Sequence, residues 1–198
     1  MSLTNIIKTA LLHYYGFGKG MYCCTELSYS LGDADIFAIP KFNNDKPKSN
    51  ELIEVEVKIS KSDLMNEFKE DKHTKNNKYL TFESKNISFA MPNKFYICVP
   101  EDLVDYCKQQ LDIHNRDYVG ILMYKPRWAN DNRGKWLKLD ESISVVRKAK
   151  KIYKDVDNKT YFYFLFAMIN RLRNDNLGFH KERYFDTNRY KPIRAIVE

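Results

Sequence analysis

The chain has 198 residues and a mass of 23.5 kDa, which is enough for one domain with a hydrophobic core. Hydrophobic residues make up 43% and aromatic residues 14% of the sequence, which excludes an intrinsically disordered chain. The formal net charge of +7 favours a polyanionic partner. The longest apolar run, at 161–169, is shorter than the ~20 residues that a membrane-spanning helix needs, so we expect no membrane partner.

The N-terminal stretch and the cysteines predict the compartment. Lys8 interrupts the first apolar stretch, and no cleavage-site pattern follows it, so no secretory signal is predicted. The four cysteines, Cys23, Cys24, Cys98 and Cys107, form no C-x-x-C pair, which is typical of reduced thiols in a cytosolic protein. We therefore predict a cytoplasmic protein.

The first elements in chain order are a helix, a turn and a strand. Apolar residues at helical spacing predict a helix over residues 3–13. The loop GFGKG at 16–20 lacks the spacing of a phosphate-binding loop and the Ser or Thr that follows its lysine, so we predict a turn. Residues 21–27 are predicted to form a strand.

Two strand-like runs, at 33–40 and 52–59, flank a polar loop and so predict a β-hairpin. Strict alternation in the second run places Glu56 and Lys58 on one face. If the hairpin closes symmetrically about its loop, Asp35 lies opposite Glu56, with Cβ atoms about 5 Å apart. At that spacing two carboxylates on one face can share a divalent cation, with the Lys58 amine beside them. The alternative is a strand whose solvent face is charged.

The rest of the chain predicts helices and strands in alternation. They are a helix at about 61–80 with Ser60 as its N-cap, a strand at 95–99, a helix at 101–111, a strand at 118–124, a polar loop at 125–136 and a helix at 160–174 with its aromatic side on the sheet. This order favours an α/β fold in which helices flank a mixed β-sheet.

Two groups of residues are candidates for nucleic-acid contacts. The predicted helix at about 61–80 carries an apolar stripe that turns polar partway along, and it contributes Lys72, Lys75, Lys78 and Tyr79. The second group is a dense basic stretch with Arg147, Lys148, Lys150 and Lys151. For both groups the alternative is ordinary solvated surface charge.

ADIFAI at 34–39, followed after a loop by VEVKIS at 55–60, resembles the PD-(D/E)XK nuclease superfamily and within it the MmcB-type DNA-repair nucleases. The resemblance extends from about Cys24 to Tyr124 and includes the helix residues Asp63, Phe68, Asp71, Lys72 and Tyr79 and the strand NKFYICVP at 93–100. It implies a single restriction-endonuclease-like domain, with a core at about 1–124. A basic and aromatic helical extension at about 125–198 lies outside the family pattern.

The resemblance also implies roles for the residues that match the motif. Asp35 and Glu56, with the carbonyl group of Val57, would hold Mg²⁺ or Mn²⁺, and Lys58 would position the attacking water. Glu26 stands where many members of the superfamily carry a further carboxylate. The implied activity is metal-dependent hydrolysis of DNA phosphodiester bonds, in DNA repair or in the processing of phage or mobile-element DNA.

Three alternatives stay open at the level of sequence. A nuclease-fold module that binds DNA or protein without cleaving would share the fold, and a defence or toxin nuclease acting on foreign nucleic acid would share the chemistry. A basic α/β binding protein with a coincidental Asp-Glu-Lys pattern would share neither. The sequence does not distinguish DNA from RNA, endonuclease from exonuclease, or monomer from homodimer.

Overall fold

A computed structural model of the chain describes residues 2–29, 32–43, 46–47, 50–68, 91–131, 134–153 and 156–176. The elements in chain order are helix α1 (Leu3–His13), a π-helical turn (Tyr14–Gly18), strands β1 (Met21–Tyr29), β2 (Gly32–Pro40), β3 (Phe42–Asn43), β4 (Lys46–Pro47) and β5 (Ile53–Val57), helix α2 (Lys61–Glu67), strand β6 (Lys94–Pro100), a 3-10 turn (Glu101–Leu103), helix α3 (Val104–Ile113), strands β7 (Gly120–Tyr124), β8 (Trp128–Asp131), β9 (Gly134–Leu137) and β10 (Ile143–Arg147), and helix α4 (Asn158–Asn176).

The framework is a six-stranded mixed sheet in the order β1-β2-β5-β6-β7-β10. Strand β2 is antiparallel to both β1 and β5, strands β5, β6 and β7 are parallel to one another, and β10 is antiparallel to β7. The predicted α/β fold with a mixed sheet flanked by helices is confirmed.

Helices cover both faces of the sheet. On one face, α1 packs Ile7 and Leu11 against Val55 and Val57 of β5. On the other face, Leu64 of α2 packs with alternate residues of β6 and with α3. The same face carries α4 on the β1–β2 half of the sheet, where the buried residues are Tyr161, Phe164 and Met168. The described part of the C-terminal extension therefore belongs to the core, and the predicted aromatic docking side of this helix is confirmed.

Several local predictions can be compared with the structure. The helix at 3–13 and the strands flanking the hairpin loop are confirmed. The helix predicted at 61–80 is described as far as Glu67, and residues 69–90 lie outside the described ranges. The polar loop predicted at 125–136 is wrong, because β8 and β9 pair as antiparallel strands there, with Gly134, the first residue of β9, at φ 116°.

The cysteines and the membrane prediction give two further outcomes. All four cysteines fall in the described ranges, and none forms a disulfide. Within the described ranges, no helix is long and apolar enough to cross a membrane.

Gly120, the first residue of β7, lies beneath the ring of Tyr96. A Cβ atom at Gly120 would stand 2.3 Å from Cε1 of Tyr96 and 2.6 Å from the backbone nitrogen of Ala149. Because backbone cannot swing aside as a side-chain tip can, we expect Gly120→Ala to lower the free energy of unfolding by about 1–3 kcal/mol. Gly18→Ala is the control, since the nearest atom to its added Cβ would be 3.9 Å away. Urea unfolding measures both, and equal stability of the two variants would contradict the packing described.

Candidate active site

The pairing of β2 with β5 places Asp35 and Glu56 on adjacent strands in the predicted register. The ladder joins Ile36 with Val55 and continues in the same register along both strands. One step further in that register, Asp35 lies opposite Glu56. The predicted placement on adjacent, register-matched strands is therefore confirmed.

Strand β1, which pairs with β2 on the edge away from β5, is irregular at the position opposite Asp35. The β1–β2 ladder pairs Thr25 with Ile36 and then skips Glu26 before it resumes. Glu26 has φ 53°, an uncommon conformation for a residue with a side chain. Glu26 and Asp35 therefore leave the regular ladder at the same point.

The pleat of β2 is interrupted at this point as well. Ala34 and Phe37 pack into the same apolar cluster with α4, although residues three apart on a regular strand point to opposite faces. The interruption takes Asp35 out of the alternation and directs its carboxylate toward α1 on the other face of the sheet.

The carboxylate of Asp35 lies in the gap where β2 and β5 separate. Its Oδ2 accepts a hydrogen bond from the backbone N–H of Val57 at 2.8 Å, beyond the last ladder pair. Its Oδ1 lies 2.7 Å from Nζ of Lys8 on α1. The carboxylate is thus held beside the peptide between Glu56 and Val57, with one oxygen on a cation.

Lys8 bridges two carboxylates. Its Nζ is also 3.4 Å from Oε1 of Glu26, and Oε2 of Glu26 accepts a hydrogen bond from Nη2 of Arg171 on α4 at 3.1 Å. Burial disfavours the ammonium, but the carboxylates of Asp35 and Glu26 outweigh it and raise the pKa of Lys8. Helices α1 and α4 therefore both contribute a cation to this site.

A second charged cluster surrounds Lys58. The side chain is 4% exposed, and its Nζ lies 2.8 Å from Oε2 of Glu67 and 3.4 Å from Oε2 of Glu56. Burial opposes its charge, but Glu67 and Glu56 outweigh burial and hold the pKa of Lys58 well above its ordinary value. Lys58 is therefore an ammonium at neutral pH.

Two acidic residues of this cluster were not assigned from the sequence. Glu67 of α2 is 2% exposed, and the available signal was its position three residues after the buried Leu64, on the same helical face. Glu54 is fully buried and accepts a hydrogen bond from the hydroxyl of Tyr29. Burial and the Glu54 carboxylate hold the pKa of Tyr29 well above its ordinary value.

The burial of this strand excludes the alternative of a charged solvent face. Glu54, Glu56 and Lys58 are 0%, 8% and 4% exposed. Buried charges are costly unless paired, and here they are paired with each other and with groups from β1 and α2. The chain thus maintains a buried charged strand, which is typical of a functional site.

The donor atoms fit a hard divalent cation, because Mg²⁺ prefers carboxylate, carbonyl and water oxygens. Glu26 and Asp35 already converge on one cation, the ammonium of Lys8.

The expectation that Asp35 and Glu56 face the same way is not met: the cationic partner of Asp35 comes from the α1 face, whereas Glu56 contacts Lys58 beside α2. Among the described residues, no three His, Cys, Asp or Glu side chains form a ready metal-binding group. The interruption of the β2 pleat at Asp35 explains why the carboxylates of Asp35 and Glu56 face different sides of the sheet.

The candidate nucleic-acid contacts have different outcomes. Lys72, Lys75, Lys78 and Tyr79 lie outside the described residues. The guanidinium of Arg147 donates to two backbone carbonyls and to Asp112, so it holds the neighbouring loop, and Lys150 pairs with Asp117. Lys148 and Lys151 are exposed, with no carboxylate partner in the part of the chain that the structure describes.

Comparisons with known proteins show a likeness of fold. No family model matches the chain, and no curated protein matches it. Among solved structures it is similar to the SPO1766 protein of unknown function from Silicibacter pomeroyi, with a TM-score of 0.55 and 11% sequence identity over 98% of each chain. At this identity the similarity shows a shared fold alone.

Proposed function

We propose that this protein is a metal-dependent nuclease that hydrolyses phosphodiester bonds in DNA. The observation that carries the proposal is the carboxylate of Asp35, which is hydrogen-bonded to the Val57 N–H between Glu56 and Lys58. Asp35 is thus fixed where two strands separate, whereas Glu56 and the ammonium of Lys58 lie on the α2 side of β5. The resemblance to PD-(D/E)XK nucleases and the net charge of +7 support the same function.

The residues that would hold Mg²⁺ or Mn²⁺ are Asp35 and Glu26, with the Val57 carbonyl; Glu56 contacts Lys58 on the α2 side of β5. Glu56 would join this set by leaving Lys58. A bound ion would supply neutralisation of phosphate charge and acidify a water molecule.

Lys58 has a role that follows from its surroundings. Glu67 and Glu56 keep it protonated, so it cannot take a proton from water at neutral pH. It can donate hydrogen bonds to a water or to a phosphate oxygen, and its buried position fixes the direction of those bonds. Lys58 therefore orients a reactant, while Glu67 positions Lys58.

A second candidate function is a nuclease-fold module that binds DNA without cleaving it. The ammonium of Lys8 lies between Glu26 and Asp35, so the carboxylates have a counter-ion without any metal. This observation favours a non-catalytic site in which the charges are permanently neutralised.

Cleavage assays separate the two candidates. The purified protein is incubated with supercoiled plasmid, linear duplex, branched DNA, single-stranded DNA and RNA, each with Mg²⁺, Mn²⁺ or EDTA. The proposal predicts cleavage of a DNA substrate with Mg²⁺ or Mn²⁺ and none with EDTA, and plasmid nicking would identify an endonuclease. Binding of DNA without cleavage by any of these metals would establish the binding module instead.

Substitution of Lys8 is expected to strengthen metal binding. Lys8→Gln removes the ammonium that competes for Asp35 and Glu26, so we expect Mn²⁺ to bind about tenfold more tightly, equivalent to about 1.4 kcal/mol. Lys108→Gln is the control, because Lys108 is paired with Asp105 on the surface of α3. Calorimetric titration with Mn²⁺ measures both variants. Unchanged affinity in Lys8→Gln would show that this ammonium does not compete with the metal.

A further inference from the structure

A cavity of about 510 Å³ lies at the opposite end of the sheet from Asp35. The strand residues that line it come from the start of β1, β5 and β6, from the end of β2, and from β7 and β10, and the loop after the π-helical turn closes one side. Along β2, Pro40 is about 16 Å from Asp35 at the usual rise per strand residue. The cavity is therefore separate from the candidate active site.

The floor of the cavity is apolar. It is formed by side chains that project from adjacent strands of the sheet: Met21, Ile53, Tyr96 and Leu122. All four are buried in the core beneath, and Tyr14 and Tyr15 form a side wall. A planar apolar group would cover this floor without loss of hydrogen bonds.

The rim of the cavity is strongly basic. The lysines in the lining are Lys19, Lys41, Lys94 and Lys148, and the acidic residue in the lining is Glu51. The carboxylate of Glu51 forms an ion pair with Lys94, with 2.5 Å between Oε1 of Glu51 and Nζ of Lys94. The other three lysines have no carboxylate partner among the described residues. An anion bound here would lie near these lysines, with Nζ of Lys41 5.8 Å from the ring centre of Tyr22.

The GFGKG segment contributes to this rim. Gly20 adopts φ 63°, a left-handed conformation that glycine accepts without steric cost, where the chain leaves the π-helical turn for β1. The segment is a turn, as the sequence predicts, and it presents the exposed Lys19 at the mouth of the cavity, with Nζ 5.2 Å from the ring centre of Tyr14.

We propose that this cavity binds a nucleoside phosphate, either as a free nucleotide or as one nucleotide of a strand. Its volume lies within the range of about 300–1,000 Å³ that is usual for small-molecule sites. The lysines act as point charges for phosphate, and the base lies on the apolar floor. An inorganic anion would leave the floor uncovered, and a neutral apolar ligand would leave the three lysines without counter-charge. This binding activity is independent of the proposed nuclease function.

Calorimetry on the full-length protein in EDTA tests the site without cleavage. The probes are adenosine monophosphate, adenosine, inorganic phosphate and a single-stranded deoxyadenosine hexamer. We expect the nucleotide to bind at least tenfold more tightly than adenosine or phosphate. In the double variant Lys19→Gln/Lys41→Gln, this affinity should fall at least tenfold.

The control variant Lys108→Gln/Lys138→Gln removes the same charge from surface lysines that are paired with Asp105 and Glu141, and it should retain nucleotide binding. Tighter binding of the hexamer than of the mononucleotide, lost in the same cavity variant, would identify a strand as the source. Equal or weaker hexamer binding would identify a free nucleotide.

Several results would overturn the inference: no binding of nucleotide or hexamer, no loss in the cavity variant, equal loss in the control, or phosphate binding as tightly as the nucleotide. Because every measurement is made without metal, these results leave the nuclease proposal untouched. Conversely, Asp35→Asn should leave nucleotide affinity in the cavity unchanged.

Discussion

Asp35→Asn is expected to reduce DNA cleavage by at least about 10³-fold while the protein stays folded. The asparagine oxygen can still accept the hydrogen bond from Val57 N–H, but the negative charge that would hold the cation is lost. DNA affinity in EDTA should change little, because it rests on dispersed phosphate contacts. Plasmid nicking rates with Mg²⁺ and circular dichroism measure activity and folding.

Asp33→Asn is the matched control for this variant. Asp33 lies on the same strand two residues away, is exposed, and accepts a hydrogen bond from the hydroxyl of Ser28. It should retain the wild-type rate within about twofold. Comparable rates in Asp35→Asn and the wild type, or an equal loss in Asp33→Asn, would remove Asp35 from the catalytic set.

Lys58→Met is expected both to abolish cleavage and to lower the free energy of unfolding by about 3–5 kcal/mol. The substitution leaves the buried carboxylates of Glu56 and Glu67 without their shared cation. If Lys58 faced solvent, the fold would tolerate its replacement. Its burial at 4% exposure leads to the opposite expectation. Urea unfolding and nicking assays at pH 7.5 measure both effects.

The contribution of Lys58 to the free energy of unfolding depends on pH in a predictable direction. The folded-state pKa of Lys58 is raised, so its stabilising contribution is complete below the unfolded-state value of about 10.4. The contribution is lost as the pH rises from there through the folded-state pKa. The stability difference between the wild type and Lys58→Met should therefore be full at pH 7–9 and shrink above about pH 10.4.

Two further variants separate charge from geometry at this position. Lys58→Arg keeps the positive charge and should retain most of the stability, yet it should lose cleavage, since a planar guanidinium does not direct its hydrogen bonds as an ammonium does. Lys58→Met/Glu67→Gln should recover part of the stability lost in Lys58→Met, because one of the two buried carboxylates that lose the Lys58 cation is removed. A fully stable Lys58→Met would contradict the buried ion-pair cluster.

The register of the candidate site could be predicted from the sequence. Asp35 and Glu56 are equidistant from the centre of the loop between the two strands, and the β2–β5 ladder has the register of a hairpin closed about that centre, with its last pair, Ile36 and Val55, one step away. The N-cap of α2 could also be predicted from the sequence. The Ser60 hydroxyl accepts a hydrogen bond from the Asp63 N–H at 3.1 Å, and the Asp63 carboxylate accepts one from the Ile59 N–H at 3.2 Å. Local spacing determines both features.

The orientation of Asp35 could not be predicted, because it depends on an irregularity without a sequence signal. The break in β1 falls at Glu26 with a positive φ, where neither glycine nor proline marks it. The contacts of Lys8 and Arg171 with Glu26 join three elements that are distant in sequence. Such tertiary contacts are set by how α1 and α4 dock, which periodicity does not specify.

The cavity at the opposite end of the sheet could not be predicted from the sequence either. Its lining combines residues from Tyr14 to Lys148, and each of its lysines taken singly is ordinary surface charge in the sequence. The GFGKG segment was informative only about a turn. The basic character of the rim results from the sheet, which brings the loop after α1, the start of β6 and the segment after β10 to one end.

The most direct test of Asp35 as a cation ligand is a Mn²⁺ titration followed by electron paramagnetic resonance. It compares the wild type, Asp35→Asn and Asp33→Asn, each with and without duplex DNA. A site formed around Asp35 predicts about one tightly bound Mn²⁺ per chain in the wild type and in Asp33→Asn. Asp35→Asn should bind it at least tenfold more weakly. Equal Mn²⁺ binding by Asp35→Asn and the wild type, or no specific binding by the wild type at millimolar Mn²⁺, would contradict the proposed metal site.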